Sequence, residues 1–461
     1  MPLILPGNVG SATAATGFDV ANSCRFDDGS SAYMHKTPGG AGNRQKFTFS
    51  CWVKKTSGGT EELLSVGGST YTRIGFEAGD EIKIFHVASG STAWEIQTVA
   101  KYRDPSAWYN FVFAFDTTQG TASNRIKLYV NGVRVEPSSG FGDETYPDQN
   151  YTTEVNNAVK HRVGIANNDS SAPFDGYMSE VVLIDNAQLD ATSFGEFDED
   201  SGIWKPIDVS GLTAGTNGFY LDFEDSANLG NDAFGGTDLT EVNLAATDQT
   251  TDTCTNNFAT MNLLDNFYAG STFSEGNLNL VMADAPTTWN TSTIGVSSGK
   301  WYFEVKELAE GASGSSQVGV ADRPTVAADE ELGGLATTFA YTSNGRFRTD
   351  NGQTAADKAT WGVNDIIGIA LDMDASPATV TFTKNGSAAG STQNLTATGT
   401  GFYFLAIGAW VDGSVTFSAN FGSPAYSESG GNSDGSGYGN FKTAPPSGHF
   451  ALNTKNLAEY G

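Results

Sequence analysis

WYNFVFAFDTTQGTASNRIKLYVNGVRV at 108–135 and WGVNDIIGIALDMDASPATVTFTKNG at 361–386 share one grammar. Each runs from a tryptophan through an apolar stretch ending in Asp, crosses a polar connection, and enters an alternating stretch that stops at Asn-Gly. From Trp108 to Asn131 is 23 residues, and from Trp361 to Asn385 is 24. Asn-Gly between alternating runs is the strongest short hairpin signal, because both residues accept the positive φ of the turn whose twist matches paired strands. Two such hairpins of nearly equal length, far apart in the chain, predict two related β-sandwiches in tandem.

Around the first hairpin, Phe47, Phe49, Cys51 and Val53 alternate with Thr48, Ser50 and Trp52 in KFTFSCWVKK, the period of two expected of a strand with one apolar face. YTRIGFEA, EIKIFHVA and AWEIQTVA continue at the short spacing of a sandwich, and VKHRVGIA at 159–166 and FDGYMSEVVLID at 174–185 close it. WYNFVFAFD is apolar nearly throughout, so it belongs in mid-sheet with both faces covered. Around the second hairpin stand SSGKWYFEVKEL, SQVGVAD, FAYTSNGRFRTDNG, ATVTFTKNG and GFYFLAIGAW…SVTFSANFG. Trp52, Trp108, Trp301 and Trp361 are assigned to cores. The expected order is an N-terminal anchoring arm at 1–21, a sandwich at 22–200, a structured linker at 201–266, a second sandwich at 267–425 opening near Phe267, and a Gly/Ser loop with an extended tail at 426–461. The fold class is all-β.

Composition agrees. Among 461 residues Gly accounts for 55 and charged residues for only 17%, a balance that favours many tight turns over long helices. Lys+Arg 25 against Asp+Glu 53 gives a net charge of −28, which repels phosphate backbones and anionic membrane surfaces, so nucleic acid is a poor partner. No apolar run approaches the roughly 18 residues of a spanning helix, and MPLILPGNVG lacks a basic leader region, so neither membrane insertion nor a cleaved signal is expected. Cys24, Cys51 and Cys254 are widely spread without a CxxC, which reads as small buried side chains made in a reducing compartment.

Catalytic patterns fail on context. A hydrolase on this fold needs two carboxylates facing one another across a cleft. The nearest string, Glu196-Phe197-Asp198-Glu199-Asp200, lies between glycines without the apolar flanks of a buried strand, and reads as a solvated surface. Gly431-Asn432-Ser433-Asp434-Gly435 matches GxSxG but sits in a Gly/Ser loop, where no strand-to-helix elbow can form. His35, His86, His161 and His449 have no metal-ligand spacing; His86 and His161 read as packing or surface residues of strands. No catalytic residues are expected. Binding through loops fits better, because loops on a rigid scaffold carry recognition. Trp94, Trp289, Tyr341 and Trp410 lie beside turn residues and are candidates to stack on a sugar ring or a partner side chain, while Arg346 and Arg348 alternate with Phe347 and so share one side of their strand. Leu3, Ile4 and Leu5, between Pro2 and Pro6, form a short apolar plug suited to docking on another subunit.

FTFSCWVK, WYNFVFAFD, IKLYVNG and FDGYMSEVVLID, in that order and spacing over 22–200, resemble the laminin-G-like branch of the concanavalin A-like jelly rolls. The motifs from SSGKWYFEVKEL to SVTFSANFG, over roughly 285–422, are similar to the SPRY family, another sandwich of that type. The first resemblance implies a rim calcium on Asp169, Asp175 or the acids at 198–200 as an alternative; no EF-hand-type loop with its closing Glu is present, and the expectation is no metal and no cofactor. The whole arrangement resembles structural proteins of tailed phages. That resemblance implies a tail fibre or related virion surface appendage. Such a protein is anchored to other virion proteins through its N-terminal arm, is homo-oligomeric with a trimer favoured, and contacts a host surface glycan or protein. A head fibre or capsid decoration protein and a polysaccharide depolymerase are the alternatives.

Overall fold

A computed structural model describes residues 17–266, 270–282, 287–311, 316–327, 330–410, 414–427 and 431–461; Leu3, Ile4, Leu5 and Phe267 lie outside the described residues. The chain forms two compact units, divided between Thr255 and Asn256. Among the described residues the only α-helix is Thr454–Tyr460, and the all-β expectation of paired sandwich sheets holds.

In the first unit one sheet runs, edge to edge, through Val133–Arg134, Ile126–Val130, Tyr109–Asp116, Lys46–Lys55, Gly176–Asp185, Ser23–Phe26 and Gln249–Thr250, with Phe219–Leu221 also paired to Gly176–Asp185. The other runs through Phe141–Thr145, Ser91–Lys101, Glu81–Ala88, Tyr71–Phe76, Glu61–Gly67, His161–Val163, Tyr33–Lys36 and Thr240–Val242. Their inner faces meet in a core that includes Phe47, Phe49, Phe111, Phe113, Phe115, Ile74, Ile84 and Trp94. Cys24 and Cys51 are buried in that core as unpaired thiols.

Tyr109–Asp116 is covered on both faces, as its nearly continuous apolar sequence implies. Its outward Val112 packs with Trp52, Phe194, Trp204, Val209 and Tyr220, brought back over the sheet by the chain after 185. Trp204 also donates its indole N–H to Asn110 Oδ1 at 3.1 Å. The stretch expected as a linker at 201–266 is therefore divided by the structure. Residues 201–255 contribute a cover and four short strands to the first unit, and residues 256–266 belong to the second. Strands of two or three residues carry too little periodicity to be read from sequence. Trp52, Trp301 and Trp361 are buried as expected, whereas Trp108 is half-buried and donates its N–H to Asp252 Oδ1 at 3.2 Å.

The larger sheet of the second unit runs through Thr272–Ser274, Asn279–Met282, Val415–Asn420, Lys300–Ala309, Ile366–Asp372, Thr379–Lys384 and Ser387–Ala388. The smaller runs through Thr288–Thr291, Phe404–Ala409, Ser316–Ala321, Thr338–Thr342, Arg346–Thr349 and Gly352–Gln353. The tail is latched rather than merely extended. Glu304 accepts the backbone N–H groups of Lys442 and Thr443, each at 2.9 Å, and Phe450–Ala451 pairs in parallel with Lys300–Ala309. Asp434, inside the GxSxG string, accepts from Ala451 N and from Asn456 Nδ2 at 2.8 Å each, so that string is a structural clasp.

Both hairpins read from the sequence are present. Asn131 and Gly132 have φ of 47° and 79°, and Asn385 and Gly386 of 47° and 82°, the left-handed pair such a turn requires. In each unit the Asn side chain also staples the turn to an earlier strand: Asn131 Oδ1 accepts from Asn110 N at 2.8 Å, and Asn385 Oδ1 from Ile366 N at 2.9 Å. The Asp ending each apolar strand does equivalent work. Asp116 accepts from Thr118 N and pairs with Lys46, while Asp372 accepts from Asp374 N and pairs with Lys300, at the matching register positions.

Candidate functional site

On the smaller sheet of the second unit, Val318, Val320, Phe339, Tyr341, Phe347, Leu405 and Ile407 point into the core. By the two-residue period of a strand, Gln317, Gly319, Ala340, Arg346, Arg348, Ala406 and Gly408 face outward. Most of these are small, so the segment that carries Leu332 can lie close against the sheet: a side chain on Gly408 would approach Leu332 Cβ to 3.2 Å. Trp289, Ala321, Leu332, Ala340 and Ala406 form a compact outer cluster there.

Two of the expected ligand-binding residues meet at the margin of this cluster. The Arg348 guanidinium carbon lies 4.8 Å from the centroid of the Trp410 ring, in cation–π geometry, and Trp410 is 40% exposed. Arg348 also pairs with Glu331, while its Nε and Nη1 are buried without a hydrogen-bond partner. On the same face of the sheet Gln317 is fully buried, with neither amide atom hydrogen-bonded. Arg346 does lie on the same face as Arg348, but its Nη1 donates to Thr354 O at 3.0 Å. The patch thus offers an exposed indole face backed by a held cation. An unmet buried donor costs about 1–3 kcal/mol, a penalty that a bound partner reaching the guanidinium would relieve.

The other three candidates are corrected. Trp94 is buried with Ile96 in the first core, its ring 5.8 Å from that of His86 and parallel to it, because strand alternation points it inward. Trp289 faces outward but is fully covered, and donates its N–H to Arg323 O at 3.1 Å. Tyr341 packs in the second core and donates its hydroxyl to Ala359 O; burial first, and Asp365 second, push its pKa up to about 12. None of the three can offer a face to a ligand. Glu331 was not among the sequence candidates. Its role depends on a loop folding back on a strand, which spacing does not reveal.

The histidines within strands are structural. His86 Nδ1 lies 2.9 Å from Thr72 Oγ1, and His161 Nε2 accepts from Asn156 N at 3.0 Å while burial pushes its pKa down to about 4. Asp198 accepts from Ser201 N and pairs with Lys205, on an exposed turn.

Of the donors named for calcium, only Asp175 meets other carboxylates among the described residues, and its partners Asp27 and Asp28 were not named. Asp169 is held by Lys160 and Arg162 and Asp198 by its own turn, whereas Asp175 converges with Asp27 and Asp28, their carboxylate oxygens all within 4.8 Å of one another. Burial, then the neighbouring Asp27, raises the pKa of Asp28. Three converging carboxylates suit a hard, oxygen-seeking cation.

Residues 28–191 match the family model of the concanavalin A-like lectin/glucanases superfamily, of laminin-G type, and residues 300–423 match that of the SPRY domain. The chain therefore carries a concanavalin A-like domain followed by a SPRY domain. No curated protein matches it significantly. Among solved structures, the SPRY domain of human HERC1 is similar at 18% identity, over 31% of this chain and 87% of its own, with a TM-score of 0.26. A human SPRY domain is similar at 21% identity, over 31% and 91%, with a TM-score of 0.25. A candidate carbohydrate binding protein from Bacteroides ovatus is similar at 16% identity, over 49% of this chain and 58% of its own, with a TM-score of 0.32.

Proposed function

We propose that this chain is a recognition protein on the surface of a tailed-phage virion, a tail fibre or related appendage that attaches to a host glycan or protein. The observation that carries the reading is the exposed Trp410 face stacked on Arg348, with unmet hydrogen-bond capacity on the guanidinium. Aromatic and arginine side chains held in place before binding are the usual anchors of recognition surfaces. The lectin-like family of the first domain supports a binding role. The virion assignment rests on the sequence resemblance to tailed-phage structural proteins. Anchoring through Leu3, Ile4 and Leu5, homo-oligomerisation as a trimer, and the absence of covalent chemistry belong to the same proposal.

Immunogold labelling of virions from a phage encoding the chain, with adsorption assays on Trp410→Ala and Arg348→Gln variants, tests the reading. Labelled appendages and adsorption reduced at least tenfold are expected. Label on the capsid with unchanged adsorption would instead favour an architectural decoration protein. New reducing ends in host capsule incubated with the purified oligomer would point to a depolymerase.

A further inference from the structure

In the first unit Lys54 and Asp252 form an ion pair shut off from solvent. Their side chains are 0% and 3% exposed, and Lys54 Nζ stands 2.8 Å from Asp252 Oδ2. Every other lysine–carboxylate pair among the described residues leaves at least one partner 10% or more exposed. Lys54 projects from the outer face of Lys46–Lys55, the side on which Trp52 joins the sealed cover. Its ammonium lies 5.5 Å from the centroid of the Tyr177 ring, on the neighbouring strand at the paired position.

Asp252 is fixed along its whole length. Its backbone N–H donates to Thr250 Oγ1 at 3.0 Å, and its carbonyl oxygen accepts from Ser23 Oγ at 2.6 Å. The Trp108 indole N–H donates to the carboxylate Oδ1 at 3.2 Å. The two carboxylate oxygens therefore face different groups, an uncharged donor at Oδ1 and the lysine nitrogen at Oδ2.

We infer that Lys54 and Asp252 condense to a side-chain amide, a covalent modification that cross-links the first unit. A bond forms between Nζ and Cγ, the Cγ–Oδ2 bond breaks, and two of the three ammonium protons leave with Oδ2 as water. One cation and one anion become a neutral amide, and no oxidant, reductant or added group is consumed. Burial penalises both charges, so passing one proton along the short contact gives the amine and carboxylic acid that react. The nitrogen already touches the carboxyl group that it attacks, and groups held in this way react at very high effective concentration. As Nζ adds, negative charge gathers on Oδ1, where the Trp108 N–H stands ready to receive it. Exclusion of bulk water then keeps the amide from being hydrolysed.

The bond reinforces a thinly held exit. Beyond Thr240–Val242 the chain is tied into the sheets by Gln249–Thr250, only two residues long, before the first unit ends at Thr255. Lys46–Lys55, by contrast, is paired along most of its length with Tyr109–Asp116 on one side and Gly176–Asp185 on the other. Tension entering at the end of the unit passes through the amide to that central strand, and the chain between residues 54 and 252 becomes a closed loop. The inference does not depend on the adhesion reading.

Mass spectrometry of the folded full chain tests it. The intact chain should be lighter than its sequence by the mass of one water. A tryptic digest should contain a branched peptide joining Lys54 to Asp252, uncut after Lys54. Lys54→Arg keeps the positive charge but not a condensing amine, and should show the full sequence mass; the wild-type measurement stands whether or not this variant folds. Trp108→Phe should lower the cross-linked fraction at least tenfold at equal times after synthesis. Full sequence mass in the folded wild-type chain, with Lys54 and Asp252 in separate peptides, would overturn the inference. So would a missing water that the digest places elsewhere, such as at Asp28-Gly29. Unchanged cross-linking in Trp108→Phe would confirm the bond and remove the indole from its formation.

Discussion

In the first unit the outer face of the sheet around Lys46–Lys55 is sealed by Phe194, Trp204 and Val209, which arrive just after the last long strand. In the second unit the corresponding strand, Lys300–Ala309, shows Tyr302 to a cover made by Phe258, Phe441 and Ala451, from segments far apart in the chain. The internal devices are nevertheless shared. Both have a Lys–Asp pair in register, an Asp that caps its own turn, and an Asn-Gly hairpin whose Asn side chain ties back to an earlier strand. The local devices recur while the covers differ, so the common sandwich is set by short-range chemistry and the outer surface is free to be built differently.

The largest expected effects break the covers. Trp204→Ala should cost about 3–5 kcal/mol in denaturant unfolding, as aromatic truncations do, and leave Asn110 Oδ1 without its donor. Phe441→Ala should cost a similar amount; a negligible loss there would mean that the tail is not a true counterpart of the Trp204 cover. Next come two buried acids, one in each unit. Burial raises Glu180 to about 8, against the Tyr220 hydroxyl that donates to it, and raises Asp265 to about 7, against Thr291. Each folded pKa lies above its unfolded value. The stability contribution is therefore full below about pH 4 and is lost as pH climbs toward 7 for Asp265 and 8 for Glu180. The slope in that window reaches up to about 1.4 kcal/mol per pH unit per group. Glu180→Gln and Asp265→Asn should flatten it in pH-dependent melts, the first variant up to a higher pH.

Smaller substitutions sharpen the equivalence. Asn131→Ala and Asn385→Ala each lose a staple and leave alanine at positive φ, which should cost about 1–3 kcal/mol in either unit. A gap of more than about 2 kcal/mol between them would show that the hairpins are not interchangeable. Lys46→Met and Lys300→Met should shift the unfolding midpoint least of all, because both ammonium groups are substantially exposed and solvent screens the pairs.

What was legible follows from range. Period-two alternation in KFTFSCWVKK and the Asn-Gly turns are local patterns, and they fixed strands, faces and hairpins. Alternation within AWEIQTVA points Trp94 inward with Ile96, and this local period outweighs the closeness of Trp94 to a turn. Trp289 was beyond such reasoning, because only the covering segment decides its burial. Arg348 and Trp410 are distant in the sequence, and their stacking joins one strand to the end of another with two strands between them. The Lys36–Asp232 ion pair likewise joins residues far apart in sequence through loops that carry no repeating pattern.

Strand Ser23–Phe26 hydrogen-bonds on one side to Gly176–Asp185 and on the other to Gln249–Thr250. During synthesis at roughly 5–20 residues per second, an early strand must wait on the order of ten to forty seconds for its last neighbour to emerge. Its raw edge is an invitation to mispairing for that whole interval, so yield from a heterologous host should depend on growth temperature and chaperone supply more than on the final stability of the finished molecule.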